Sequence, residues 1–554
     1  MTRSVIDPIT RIEGHLRVEM EVTNGKVSDA WVSGGCFRGM EMVVENRTPE
    51  DAAQIVQRIC GVCPVSHAHS SAIAAEKAYG IKISNNARII RNLLEGAQFL
   101  HSHILWFYNL AALDYVNPLN ALKADPADAY DLAQAAGTSM NSDFVALKER
   151  LANFADNGQL SIFSGNWFDA EDGTAYQLPP ELDLICTAHY LEALTMQAKA
   201  SQISAIIGGK MPHVMTLVPG GTAFVPTDQK LDELKALADE IYDWVESTMI
   251  PDTLAIAPYY IDALNWGKGC GRYVAWGVFE GPGDYASYTE QMANRYLPMG
   301  VIDDKLNLSD VQENLITEYM GRSWYKGDAT YTSPYFVTEP EYTEYNVEDR
   351  YTWVKCPAYD GKPYEAGGLS RVLAAYKRNV PFVVEQVNGL LEALGAPGNV
   401  AAAQSTLGRT AVRQIESLYI AGLMKEWVGE LVEAVKGGDS EYFRKPATIT
   451  GSGTGFWEAP RGALYHSEKV VDGKIEGYQI IIPTTWNAAP HNANGENGPM
   501  EEALIGVPVG DIEKPINALR TVHSFDPCTA CAVHVTEPAT GKSFETVTSP
   551  WGVK

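Results

Sequence analysis

Hydrophobic and polar positions alternate through Leu16-Arg17-Val18-Glu19-Met20-Glu21-Val22 and again from Val27 to Val32. With Asn24-Gly25 between the two runs, this period of two predicts a β-hairpin over residues 16–32. The period then lengthens. Thr48-Pro49-Glu50-Asp51 offers a hydroxyl N-cap, proline at the first helical position and acids in the first turn. A helix should begin there, turn Ile55, Val56 and Ile59 inward, and stop at Cys60-Gly61, where glycine permits the reversal. A second helix is expected from about Ser66 to Tyr79. A long apolar-periodic stretch over 86–116 contains no proline and only Gly96 as a glycine. Further helical patterns occupy about 182–207, 227–248, 369–395 and 409–436.

Residues 250–365 are rich in Tyr, Trp, Gly and Pro with weak periodicity, and read as irregular surface structure with short strands. Tyr478-Gln479-Ile480-Ile481-Ile482-Pro483 reads as a buried strand ending at proline. A short helix near 515–522 leads into Ser524-Phe525-Asp526-Pro527-Cys528. The pattern predicts a mainly α fold with small β elements (α+β), a long-helix body with peripheral hairpins. A hairpin over about 1–35, a helical body over about 48–436 and a C-terminal β and loop segment over about 445–534 make up one large unit, 1–534. At ~150 residues per domain the length would allow three or four lobes, but no linker or internal repeat divides the chain.

Composition narrows the partners. The 554 residues carry 43 basic and 69 acidic side chains, a formal charge of −26, which repels nucleic-acid phosphates and anionic lipid. With 45% hydrophobic and 20% charged residues the chain is foldable and globular. No run reaches the roughly 18 apolar residues of a membrane span. Met-Thr-Arg-Ser-Val-Ile-Asp-Pro opens the chain without the apolar core of a secretory signal, so no export signal of its own is expected.

The eight cysteines are too sparse for a disulfide scaffold. Cys36, Cys186, Cys270 and Cys356 are scattered and read as small buried hydrophobes. The other four form two C-x-x-C pairs, Cys60/Cys63 and Cys528/Cys531, a spacing that lets both sulfurs face one ion. Because 464 residues lie between Cys63 and Cys528, a shared site would tie together distant parts of the chain. Structural zinc sites usually staple short local segments, yet from spacing alone zinc, iron and nickel all stay open.

The first pair stands in Arg58-Ile59-Cys60-Gly61-Val62-Cys63-Pro64-Val65-Ser66-His67, the second in Asp526-Pro527-Cys528-Thr529-Ala530-Cys531-Ala532-Val533-His534. Both resemble the two signatures of the large, catalytic subunit of nickel–iron hydrogenases. Arg11-Ile12-Glu13-Gly14-His15, Phe37-Arg38-Gly39-Met40-Glu41, Ser405 to Arg409, Ala459-Pro460-Arg461-Gly462 and Ile482-Pro483-Thr484-Thr485-Trp486 look like segments of the same family in the same order.

The resemblance implies nickel held by Cys60, Cys63, Cys528 and Cys531. Cys63 and Cys531 would bridge to an iron that carries carbon monoxide and cyanide, with Pro483 and Thr484 beside the cofactor. Such a cluster is anionic, and Arg461 is the candidate counter-cation, with Asp526 as its anchor. Heterolytic cleavage of H2 needs a Lewis acid for the hydride and a base for the proton. By resemblance that base is Cys528, with Glu13 as the proton relay; the plain reading of Glu13 is a strand-end residue paired with Arg11. His67 would donate a hydrogen bond to a bridging sulfur or serve as a core histidine. Glu41, the carbonyl of Ile480 and His534 match the ligands of a second metal, magnesium. Ser102, in His101-Ser102-His103, stands where many relatives carry Asp facing the active site, a departure that would alter how Arg461 is held.

By the same resemblance residues 535–554 are a tail that a maturation protease would remove at His534; the plain reading is a C-terminal strand that remains. Since the chain has no cysteine spacing for an iron–sulfur centre, electrons would pass to an iron–sulfur small subunit. That heterodimer partner would carry the pair to the periplasm; cytoplasmic residence is the alternative. A hydrogen-sensing homologue of low turnover and a non-catalytic, metal-stapled subunit of a respiratory complex are the competing functions.

Overall fold

The computed structural model describes residues 2–163, 167–168, 175–393, 395–446 and 449–529. Cys531, His534 and the 535–554 tail lie outside the described residues. The predicted hairpin forms: Leu16–Thr23 pairs antiparallel with Lys26–Gly34 around Asn24 and Gly25, both at positive φ. Thr2–Ile6 adds a third strand on the outer edge of Leu16–Thr23. Leu16, Val18 and Met20 of this sheet are fully buried against Ala503, Leu504, Leu519 and Val522 from near the other end of the chain.

Thr48 caps the Pro49–Ile55 helix by accepting from the Asp51 N–H, as its side-chain chemistry requires. That helix tightens into a 3-10 turn, Val56–Ile59, before Cys60. Gly61 is not at positive φ; the reversal is made instead by extended Cys60 and by Cys63 at φ −120°. The next helix begins at Pro64, two residues earlier than expected, because proline suits the first helical turn, and runs to Tyr79. Burial on nearly every side of Pro64–Tyr79 makes it a central helix of the molecule.

Asn85–Ile104 crosses Pro180–Gly208 and Thr406–Lys436 to build the main core. The 86–116 stretch is not one α-helix. It widens into a π segment, Leu105–Ala111, and ends in a 3-10 turn, Ala112–Asp114. The pattern over 227–248 likewise ends in a π segment, Val245–Met249, after Asp228–Trp244. The helix expected over 369–395 is two, Gly368–Lys377 and Pro381–Ala393. Pro381 cannot continue a helix, and Asn379 at φ 58° turns the chain before it. Helices Pro126–Ala136 and Phe144–Asp156 are additions to the expected set, each opened by an aspartate cap.

Residues 250–365 are only partly surface structure. They include the Ile250–Ile256 helix and the buried strands Tyr273–Ala275, Gly300–Ile302 and Cys356–Tyr359. Among the scattered cysteines Cys186 and Cys356 are buried as expected, whereas Cys36 and Cys270 are half-buried.

The expected strand at 478–483 belongs to a meander, Gly451–Ala459, Gly462–Val471 and Lys474–Ile481. Its inner face lies directly on the Pro64–Tyr79 helix. Gly451, Gly453 and Gly455 make this approach: a Cβ at each would stand 2.2, 2.1 and 1.9 Å from the carbonyl oxygens of Ala78, Ala74 and Ser70. Those carbonyls repeat every four residues along one helix stripe, so the period of the strand and that of the helix are matched through missing side chains.

Candidate metal centre

The segments of Glu13 and Cys528 meet at the start of the Pro64–Tyr79 helix. After the Ile516–Ser524 helix, Asp526 takes φ 54° and turns the backbone so that Cys528 runs parallel to Glu13 in a single β-bridge. The Thr529 N–H donates to the Glu13 carbonyl at 2.6 Å, and the Cys528 N–H donates to Thr484 Oγ1 at 3.1 Å. Thr484 therefore fixes the backbone of the second cysteine motif. Pro483 starts the same short helix, Pro483–Asn487.

Cys60, Cys63 and Cys528 are buried thiols whose sulfurs all lie within 4.8 Å of one another, with Cys60 Sγ and Cys528 Sγ 3.4 Å apart. No disulfide joins any of the three to another described residue. The N–H groups of Val62 and Cys63 donate to Cys60 Sγ at 3.3 and 3.2 Å, a setting that favours a thiolate. Three convergent soft donors fit a transition metal. Cys531, the fourth expected ligand, lies outside the described residues.

Glu13 Oε2 accepts from Cys528 Sγ at 3.2 Å, and Glu13 is half-buried, with one side toward the pocket and one toward the surface. The strand-end reading, a pair with Arg11, fails: Arg11 reaches the buried carboxyl of Asp114 at 2.5 Å instead.

Arg461 lies 2% exposed with its Nη2 3.0 Å from Asp526, itself 2% exposed. Its Nη1 donates to Ser102 Oγ at 3.4 Å, a contact that brings no charge. Burial opposes the guanidinium charge, but Asp526 and the thiolates of Cys528, Cys63 and Cys60 outweigh it and hold Arg461 firmly protonated. The turn carrying Arg461 is clamped from behind. Buried Arg371 donates to the carbonyls of Ala459 and Pro460 at 2.9 and 2.7 Å and is itself held by Glu416 and Glu458. Gly462 completes the turn at φ 134°, where a Cβ would meet the Gly367 nitrogen at 2.6 Å.

His67 Nδ1 is 3.1 Å from His466 Nε2, while its Nε2 is buried with no hydrogen-bond partner among the described residues. Burial pulls its pKa down to about 4, so the ring is neutral at ordinary pH.

Glu41 and Ile480 also come together, at a cavity lined further by Tyr325, Trp353 and Ile482. Here the Ile480 N–H donates to Glu41 Oε1 at 2.9 Å. Lys355 supplies a cation 3.0 Å from Glu41 Oε2, and Thr338 donates to the same oxygen. Among the described residues Glu41 is the one carboxylate that lines this cavity; His534 lies outside them.

The sequence reading missed Arg371, Glu416, Glu458, Lys355 and His466. A signal existed for part of this: Arg409, Arg413 and Glu416 put charge at helical spacing in the first third of the Thr406–Lys436 helix, and all three are buried.

A helical body with small sheets, burying thiols from both ends of the chain beside one carboxylate and one arginine, defines a thiolate metalloenzyme. Residues 38–534 match the family model described as nickel-dependent hydrogenase, and residues 3–33 match one described as HoxL-like. The chain is 39% identical to the hydrogenase-2 large chain of Escherichia coli (strain K12), over 97% of each chain. It is 37% identical to the uptake hydrogenase large subunit of Rhizobium leguminosarum bv. viciae, over 97% of this chain and 96% of that one. The Ni-Fe-Se hydrogenase from D. vulgaris Hildenborough in its as-isolated oxidized state superposes with a TM-score of 0.78 at 34% identity, covering 96% of this chain and all of the other. The chain belongs to the nickel-dependent hydrogenase family, as a large, catalytic subunit whose metals are nickel and iron.

Proposed function

We propose that this subunit cleaves H2 reversibly into protons and electrons; Cys60, Cys63, Cys528 and Cys531 would hold nickel, and Cys63 and Cys531 would also serve an iron that carries carbon monoxide and cyanide. The observation that carries the reading is the convergence of Cys60, Cys63 and Cys528 within 4.8 Å, with Glu13 3.2 Å from the Cys528 sulfur. When bound, the metals supply the Lewis acidity that polarises an apolar substrate no side chain can grip. Cys528 Sγ takes the proton, and Glu13 Oε2 receives it across the 3.2 Å contact and passes it outward. Arg461 offsets the negative charge of the thiolate pocket, and Asp526 keeps its guanidinium in place.

Magnesium at Glu41, Ile480 and His534 belongs to the same proposal, as does removal of residues 535–554 by a maturation protease. Hydrogenases with this type of large subunit pair with a small subunit, and we assign to that partner the iron–sulfur centres that take the electrons and the carriage of the pair to the periplasm. Among the described residues no helix is long and apolar enough to cross a membrane. Metal analysis with infrared spectroscopy of the mature protein tests the central assignment. Nickel and iron with carbon monoxide and cyanide bands are expected; zinc without either metal refutes it.

A further inference from the structure

Residues 10–12 bend without belonging to a strand or helix, between two fixed points. On one side the Ile9 N–H donates to the Leu16 carbonyl at 2.8 Å; on the other the Glu13 carbonyl accepts from Thr529. Arg11 makes the turn at φ 53°, a backbone conformation that a long side chain keeps only when its surroundings hold it. A buried carboxylate does the holding. Asp114, 0% exposed, ends the 3-10 turn that follows the π segment. Its Oδ1 accepts from Arg11 Nη2 at 2.5 Å and its Oδ2 from His523 Nδ1 at 2.6 Å. His523 Nε2 in turn meets the Thr10 carbonyl at 2.8 Å. Paired with Arg11, the Asp114 carboxylate only accepts, and so does the Thr10 carbonyl. The imidazole therefore donates from both nitrogens, proton positions that follow from its partners. A side-chain amide, with its donors on one atom, cannot span the same two acceptors.

The far side of this clamp is tied as well. Trp106 Nε1 donates to the His523 carbonyl at 2.8 Å, and Arg520 donates to the Asp114 carbonyl at 3.1 and 2.7 Å. Three residues after Thr10 the chain reaches Glu13, and five residues after His523 it reaches Cys528. We propose that His523 and Asp114 are positioning residues for the proton relay, their clamp on Thr10 and Arg11 setting Glu13 at its 3.2 Å distance from the Cys528 sulfur. They act through the backbone of residues 10–13. Without them Arg11 relaxes from positive φ and carries Glu13 with it, while the Cys528 N–H keeps its own bond to Thr484. The gap that opens is then between relay and sulfur, not among the sulfurs.

This proposal rests on the nickel–iron reading with Glu13 as relay, and its test separates the two. Holoenzyme carrying His523→Gln or Asp114→Asn should oxidise H2 about 10- to 100-fold more slowly, with nickel content and diatomic infrared bands unchanged. In a Glu13→Gln background the same substitutions should cost less than about twofold, because residues that act through one group are not additive. Equal losses in both backgrounds, loss of nickel from both single variants, or unchanged turnover overturns the clamp. Amide hydrogen exchange of the metal-free chain reads the clamp without turnover. Amides of residues 9–16 should exchange about 10-fold faster or more in both variants, and those of Pro180–Gly208 at the parent rate. Exchange over 9–16 as slow as in the parent overturns the clamp. Normal turnover of Glu13→Gln refutes the relay reading instead, and a parent protein without nickel refutes the metal reading; amide exchange still decides whether the clamp holds residues 10–13.

Discussion

Replacing Gly453 with alanine adds one methyl group where the C-terminal meander touches the Pro64–Tyr79 helix. Its Cβ would stand 2.1 Å from the Ala74 carbonyl oxygen and 2.5 Å from the Ala78 nitrogen, both backbone atoms of a helix that cannot swing aside as a side chain would. Restoring van der Waals distance requires a shift of roughly 1 Å between helix and sheet. Overpacking of this kind costs about 1–3 kcal/mol. The helix begins immediately after Cys63 and carries His67, so the same displacement reaches the thiolate pocket. A misplacement of about 1 Å at reacting groups can cost about 100-fold in rate. The expected result is lower nickel occupancy by metal analysis, about 100-fold slower H2 oxidation per chain, and faster proteolysis of the purified protein. Gly429→Ala is the matched control: this exposed glycine in the Thr406–Lys436 helix has nothing within 4 Å of an added Cβ. Alanine there should be neutral or stabilising by up to about 1 kcal/mol. If Gly453→Ala matches Gly429→Ala in nickel content and rate, the close approach does not set the geometry of the pocket.

Glu13→Gln keeps the shape of the side chain but cannot shuttle a proton, so H2 oxidation should fall by about 100-fold or more while the infrared bands of the metal site persist; normal turnover removes Glu13 from the route. Asp526→Asn leaves buried Arg461 with the neutral Ser102 hydroxyl and the thiolates, and breaking such a pair costs about 3–5 kcal/mol. Denaturation of the metal-free chain should show that loss most fully, because fewer thiolates are then ionised to offset the guanidinium. The acid limb of stability has its own signature. Burial pushes the carboxyls of Asp114 and Glu416 up, but Arg11 and His523 around Asp114, and Arg371 and His103 around Glu416, outweigh it and hold both at about 2. Folded pKa values below the unfolded range of about 4 mean that this stabilisation is present above that pH and is lost as pH falls toward 2. Asp114→Asn should flatten part of that loss in circular dichroism measured against pH, and an unchanged acid profile contradicts the pairing.

The parts of the fold that could be read from sequence were those set by neighbours in the chain. Asn24-Gly25 and Thr48-Pro49 specify a hairpin and a helix start through local backbone chemistry, and both form. Pro381 carried the same kind of information, but apolar periodicity ran on across it and hid the break. The π segments at Leu105–Ala111 and Val245–Met249 keep an α-like pattern of apolar residues and leave no mark in it. At the site, the two C-x-x-C motifs announced thiolate chemistry, while their meeting depends on Glu13, Thr484 and Cys528 coming together in the folded chain. The clamp of Arg371 on Ala459 and Pro460 is likewise a long-range contact with no local signature. Gly451-x-Gly453-x-Gly455 was legible in principle, since glycine at every second strand position marks a face against which another backbone lies.

Nickel K-edge X-ray absorption on the mature protein, compared with Cys60→Ser and Cys528→Ser variants, tests the convergence of the two motifs most directly. The account predicts a sulfur shell around nickel with iron as a near neighbour, and loss of sulfur from that shell, or of nickel itself, in both variants. A nickel environment of nitrogen and oxygen, or one that responds to Cys60 and not to Cys528, would contradict it.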